Sequence, residues 1–155
     1  MKKPVYVLIA VSLVLVLLPA AATALFADET MGCTPGYWKQ PQHFDSWVNP
    51  PYDPGASLFD VMFEVDCKDM ACEGKTLLEV LQTGGGGEKA LGRHAVAALL
   101  NASHPDVGYL YTVGEVIDKV QAAYTSGDFE TYKDLLEVQN ELDCPLGREA
   151  APVEE

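Results

Sequence analysis

Positive charge is scarce in this chain. Ten Lys and Arg stand against 23 Asp and Glu over 155 residues, a formal net charge of −13. A surface this acidic repels phosphate backbones and anionic headgroups, which argues against nucleic-acid binding and against electrostatic attachment to a membrane. Histidine is rarer still, with His43, His94 and His104 alone, and no H-x3-H or HExxH spacing joins them. A three-histidine metal site would need His43 to fold onto the segment carrying His94, and nothing in the spacing requires that. No G-x-S-x-G surrounds a serine. Among the many acids no pair stands out for glycoside chemistry. Alternating strand patterns of useful length are missing downstream of the N-terminal stretch. These absences lead to the expectation of a protein that is not an enzyme and carries no catalytic residue, metal or cofactor.

The N-terminus has what the rest lacks, a long apolar run. Lys2 and Lys3 precede "VYVLIAVSLVLVLL" (Val5 to Leu18), Pro19 breaks it, and "AAATALFA" supplies small residues. This is the layout of a secretory signal over 1–27, with Ala24 or Ala27 at the cut. The 23 residues from Val5 to Ala27 would also be long enough for a retained anchor. Pro19 and the alanines favour cleavage. A lipoprotein signal ending at Cys33 is weaker, because Asp28 and Glu29 separate that cysteine from the apolar run. Loss of Lys2 and Lys3 leaves eight basic and 23 acidic residues, a net charge of −15. The expected location is therefore secreted, extracellular or at the cell surface, with no membrane contact after cleavage.

Four cysteines remain, Cys33, Cys67, Cys72 and Cys144. In an exported chain an even count reads as two disulfides, with three connectivities open. Cys67 and Cys72 bracket only "KDMA", while Cys33 and Cys144 flank the whole globular region, so Cys33–Cys144 with Cys67–Cys72 is the preferred pairing. Zinc is the competing reading, for which C-x4-C and two distant cysteines are poor spacing.

Between the cysteines the apolar residues recur at helical period. "SLFDVMFEV" offers Leu58, Val61, Met62 and Val65 with Ser57 as N-cap, and "KTLLEVLQ" offers Leu77, Leu78 and Leu81. "EKALGRHAVAALLNA" carries the stripe Leu91, Ala95, Ala98, Leu99 and Ala102. Thr112 and Glu115 form a capping-box pattern ahead of Val113, Val116, Ile117, Val120 and Tyr124. Asp128 caps a last segment whose buried side is Phe129, Tyr132, Leu135, Leu136 and Leu142. The expected fold is all-α, a small disulfide-stapled domain of about five helices over 57–146. An irregular, aromatic and proline-rich segment, 28–56, precedes it, and an acidic disordered tail, 147–155, ends it. Gly84 to Gly87 lie between two helical segments. Gly85, Gly87 and Ala90 match a dinucleotide fingerprint in letters only, because no strand precedes them.

Two features remain. "NAS" makes Asn101 a candidate glycan acceptor. "GCTPGYWKQPQHFDSW" (Gly32 to Trp47) crowds aromatic and polar side chains together. Trp38 and Trp47 are candidate platforms for a sugar ring, with Gln42 and His43 as polar fixers. The same rings could instead fill space around a disulfide. With "LGRHAVAALLNAS" (Leu91 to Ser103) and "ELDCPL" (Glu141 to Leu146), the "CTPGYWK" motif resembles a family of exported bacterial and archaeal proteins, largely uncharacterised. In that family the first and last cysteines look constant, which agrees with Cys33–Cys144, and the Cys67/Cys72 loop looks like a local addition. The resemblance implies a secreted or surface-displayed module and brings no activity. The leading expectation is a structural or interaction protein of the cell exterior, a subunit that self-associates or contacts other surface proteins. The alternative is a carbohydrate- or surface-binding module with polysaccharide as its partner.

Overall fold

The computed structural model describes residues 30–48, 50–67 and 72–147. The expected signal and most of the expected tail lie outside them. The described residues form six α-helices and two 3-10 turns, with no strand. The order is α1 (Pro35–Trp38), a 3-10 turn (Pro41–Ser46), α2 (Phe59–Phe63), α3 (Leu77–Leu81), α4 (Glu88–Ser103), α5 (Val113–Ser126), α6 (Phe129–Asn140) and a 3-10 turn at Pro145–Gly147. No helix among the described residues is long and apolar enough to cross a membrane. The fold is all-α, and both disulfides join the pairs preferred from the spacing, Cys33–Cys144 and Cys67–Cys72. Two disulfides fit an oxidising, extracellular environment.

α4 is the axis. Its alanines let neighbours approach on every side, and from Ala90 to Asn101 only Arg93 escapes burial. α6, α3 and α5 pack around it, and α1 sits against it as well. Gly92 leaves room for α3, since a Cβ there would stand 3.0 Å from Val80 Cγ1. The four-glycine link turns the chain into α4 through Gly87, whose φ of 57° favours glycine. It is tied down as well: Arg93 donates to the carbonyls of Thr83 and Gly85 at 3.1 and 2.9 Å.

Caps set most boundaries. Thr112 and Glu115 form the expected capping box, and Asp128 accepts from Thr131 N at 3.2 Å. Gly127, at φ 75°, ends α5, so two residues suffice to reverse into α6. A second capping box, Thr76 with Glu79, opens α3. Its sequence signal is Thr76 with Glu79 three residues on, just ahead of the leucines that mark the segment.

Four expectations are corrected. The segment before 57 is not irregular throughout: it holds α1 and the first 3-10 turn. Ser57 is not an N-cap. Its hydroxyl accepts from Asp53 N and donates to Pro51 O, closing the proline-rich turn, while Leu58 takes the cap position. α2 buries Phe59 and Phe63, an i,i+4 pair with ring centroids 4.5 Å apart, and leaves Val61 58% exposed. A five-residue helix is too short for periodicity to choose its face, and the larger rings win the core. In α6, Leu136 is buried and Leu135 is 43% exposed.

The two disulfides differ in reach, with sequence separations of 111 and 5. In the chain-entropy model these are worth about 5 and about 2 kcal/mol. Replacing Cys33 and Cys144 with serine should therefore cost up to about 3 kcal/mol more than replacing Cys67 and Cys72. Urea denaturation of both variants measures the difference, and equal midpoints would refute this ranking.

Candidate functional site

The aromatic stretch folds as it does for local reasons. Thr34 accepts from Tyr37 N at 3.1 Å, and Pro35 occupies the first helical position, where its missing N–H is not needed. One turn later Trp38 points inward. Pro41 then opens the 3-10 turn, which brings Trp47 back onto the same spot, its Nε1 donating to Trp38 O at 3.2 Å. Gly32 runs against the end of α6, so closely that a Cβ would collide with the Gln139 carbonyl.

Inside, the stretch meets a buried polar node. Asn101, near the end of α4, has no exposed surface. Its Oδ1 accepts from Cys33 N at 2.9 Å and from Trp38 Nε1 at 3.0 Å. Its Nδ2 donates to Cys33 O and to Asn140 Oδ1, both at 2.9 Å. Asn140, the last residue of α6, donates to His94 O at 2.9 Å and accepts from the Tyr109 hydroxyl at 2.8 Å. Burial pushes the Tyr109 hydroxyl pKa up, so it stays a donor. Every hydrogen-bonding position of Asn101 is occupied by the protein, as burial of an amide demands.

This arrangement revises two readings. The sequon nitrogen is not a surface acceptor: Asn101 Nδ2 is enclosed and committed to two carbonyl oxygens, leaving no room for a glycan in the folded chain. Trp38 is fully buried and Trp47 is 4% exposed, with both indole N–H groups bonded inside. Neither offers a face to a sugar. Gln42 is exposed and hydrogen-bonds Gln40, and His43 lies half-buried, stacked on Tyr37 with centroids 3.9 Å apart. The four candidates thus divide into two core rings and two polar groups at the rim.

The histidines do not converge on one site. His104 Nδ1 accepts from Asp106 N at 3.1 Å. His94 is buried, its Nε2 3.6 Å from Glu137 Oε1 and its Nδ1 without a partner. Burial lowers its pKa, with Arg93 and Lys133 adding to that and Glu137 and Glu141 opposing it. Among the described residues one set is spaced for a metal: Cys67 Sγ, Cys72 Sγ and Glu88, with ligand atoms within 4.8 Å of one another. As a disulfide, its sulfurs are not thiolates.

Among the described residues, depressions open on two faces. One, of about 520 Å³, is lined by Glu64, Val65, Asp66, Gln121, Tyr124 and Thr125. The other, of about 360 Å³, lies on α6 and is lined by Tyr111, Thr131, Asp134, Leu135, Val138 and Gln139. The sequence does not single out Asn140, Tyr109 or Glu88, and it places Tyr124 only on the apolar face of α5. Asn140 had a signal, since it stands four residues after Leu136 on the same helix face. Compared with known proteins, the chain matches no protein-family model, no curated protein and no solved structure.

Asn101→Ala strands the Cys33 N–H and the Trp38 indole N–H together, and should cost about 3–5 kcal/mol. Chemical denaturation measures it, and a loss below 1 kcal/mol would sink the node. In a glycosylating host the native chain should carry no glycan at Asn101 by intact mass.

His94 also generates a pH dependence. Its folded pKa lies below the ordinary 6.5, so the unfolded chain takes up the proton first as pH falls. Stability is full above about 6.5 and declines below it through this group. His94→Gln should flatten the melting temperature between about pH 6.5 and 5. An unchanged profile would show that His94 does not titrate in this way.

Proposed function

We propose that this chain is a secreted or surface-displayed structural and interaction protein, and that it associates with a second copy of itself through the outer face of α6. The observation carrying the reading is apolar area left on that face. Val138 is 62% exposed and Leu135 43%, and both line the α6 depression with Tyr111. Leu110, 50% exposed, is the neighbour of Tyr111 in sequence. Exposed apolar side chains gathered around a depression, rather than scattered singly, are the kind of surface a partner covers.

Opposite charges at the rim of the depression, set against a repulsive net charge, favour a second copy as that partner. The Lys119 ammonium lies 4.3 Å over the Tyr111 ring, and Asp134 lines the same depression. In a two-fold contact both copies bring the same Lys119 and Asp134, the latter paired with Lys133 of its own chain, to the rim while the apolar side chains meet between them. Export is supported by the two disulfides and by the apolar run from Val5 to Leu18. The sugar-platform reading loses support because Trp38 and Trp47 are internal.

Light scattering after size exclusion tests the proposal. The mature chain should show a mass that rises with concentration, and more strongly as salt screens its net negative charge. Leu135→Asp with Val138→Asp should abolish the association without lowering the melting temperature by more than a few degrees, since both side chains are exposed. A strictly monomeric chain at high protein concentration and moderate salt would overturn the reading.

A further inference from the structure

The Cys67–Cys72 disulfide does not rest on apolar side chains alone. Cys72 Sγ lies 3.0 Å from the Tyr124 hydroxyl and 3.6 Å from Glu88 Oε1, and Cys67 Sγ lies 3.9 Å from the same hydroxyl. Two sulfurs, a carboxylate and a phenol thus converge from three separate elements: the cysteine loop, the first residue of α4, and α5. The backbone that carries the two oxygen ligands is held independently of the disulfide. Gly87 N donates to Glu130 Oε1 at 3.1 Å, fixing the start of α4 on α6, and Arg93 grips the glycine link before it. Tyr124 is anchored within α5, its ring edge-on to Phe129 at 5.4 Å. Both sulfurs are buried, so neither the carboxylate nor the phenol is there by surface chance.

We propose that, once the Cys67–Cys72 bond is opened, the two thiolates and the Glu88 carboxylate form a site for a soft divalent cation of the zinc type. The Tyr124 hydroxyl or a water takes the fourth direction. Two thiolates and one carboxylate match the ligands that Zn²⁺ prefers, and bonds of about 2.3 Å to sulfur require the sulfurs to stand roughly 3.8 Å apart. The disulfide masks the site by holding the sulfurs at bonding distance. A dithiol opens it: one thiolate attacks a cysteine sulfur, the S–S bond breaks, and a mixed disulfide forms. The second thiol of the reductant closes its own disulfide and releases the other cysteine, so two electrons pass to the protein. Each cysteine then loses one proton to solvent as the cation binds.

The short span makes this disulfide the one that opens. Closing a five-residue separation stabilises the chain far less than closing 111 residues, so its reduction costs the fold less. A chain with a net charge of −13 also concentrates cations around it. The zinc arrangement rejected for all four cysteines therefore returns in reduced form, with two cysteines and an acid that sequence spacing did not connect.

The test uses the mature chain, opened with a trialkylphosphine, which becomes the phosphine oxide by taking oxygen from water while the water protons go to the thiols. After removal of the phosphine under argon, Co²⁺ is titrated in. The expected result is one Co²⁺ per chain, with a thiolate-to-metal charge-transfer band and the visible bands of a tetrahedral site, displaced by Zn²⁺. The oxidised chain and the Cys67→Ser, Cys72→Ser variant should lack these bands. Glu88→Gln should weaken binding at least tenfold. Zn²⁺ should raise the melting temperature of the reduced chain and leave that of the oxidised chain unchanged, which reads out the site independently of the spectrum. Absence of the bands in reduced, still-helical protein would overturn the proposal. So would unchanged affinity in Glu88→Gln, or opening of Cys33–Cys144 before Cys67–Cys72 by mass mapping.

Discussion

Asn101 is the side chain on which the rest of the structure depends. A single primary amide receives the N-terminal segment through both polar groups of Cys33, orients Trp38 through its indole, and reaches Asn140 at the end of α6. A buried amide left partly unpaired would cost about 1–3 kcal/mol for each stranded group. The three elements therefore have to arrive together. The Cys33–Cys144 bond then closes covalently over a meeting already set by hydrogen bonds. Because Cys33 is at once a disulfide partner and a backbone partner of Asn101, the two constraints act at the same residue. Tyr109 and the His94 carbonyl complete the node from outside, so its satisfaction does not rely on one contact.

The acidic composition is compatible with this interior because the charge stays out of it. α4 is walled by alanine and leucine, and its one guanidinium, Arg93, turns outward to hold the glycine link. The acids serve where a carboxylate is useful. Glu79 and Glu115 close capping boxes, and their acceptor bonds from Thr76 and Thr112 hold both carboxyls below the ordinary range. The surrounding negative field opposes association at long range and is screened over about 8–10 Å at physiological salt. Any contact between copies thus has to rely on short-range apolar area, which α6 retains.

The caps of the two long C-terminal helices and the cysteine pairing were legible in the sequence because both are short-range or topological signals. Thr112 with Glu115, Asp128, and the nesting of Cys67–Cys72 inside Cys33–Cys144 each need only residue type and order. Faces were less legible where helices are brief. In α2 the choice between Val61 and the Phe59–Phe63 pair is made by what lies opposite. Leu135 and Leu136 are indistinguishable by hydropathy, and only the packing on α4 decides which goes in. Polar core residues were the hardest to read. Asn101 lies beside the apolar stripe of α4, four residues after buried Ala97, and Asn140 stands four residues after buried Leu136 on α6. The two are 39 positions apart in the chain, and Cys33 stands 68 positions from Asn101. For Asn101 the sequon is the nearer explanation, a local reading of a long-range interaction.

The stretch from Gly32 to Trp47 shows how the same physics sorts structure from function. Aromatic density beside a cysteine suits a binding cleft and a plug equally well until the indole N–H groups are traced. Trp38 donates to Asn101, and Trp47 donates to the Trp38 carbonyl, so the rings are chained to the node and to each other. A ring held this way has no rotational freedom to meet a ligand, and its removal would empty a core rather than a site. What the chain presents to its surroundings must then come from elsewhere. Among the described residues, the outer face of α6 and the oxygen-lined Cys67–Cys72 bond are two places where apolar area or chemical potential is not already consumed by the fold. One lies on the helix that ends at Asn140, the other where α4 begins. The scaffold anchored at Asn101 holds both rigid while taking part in neither.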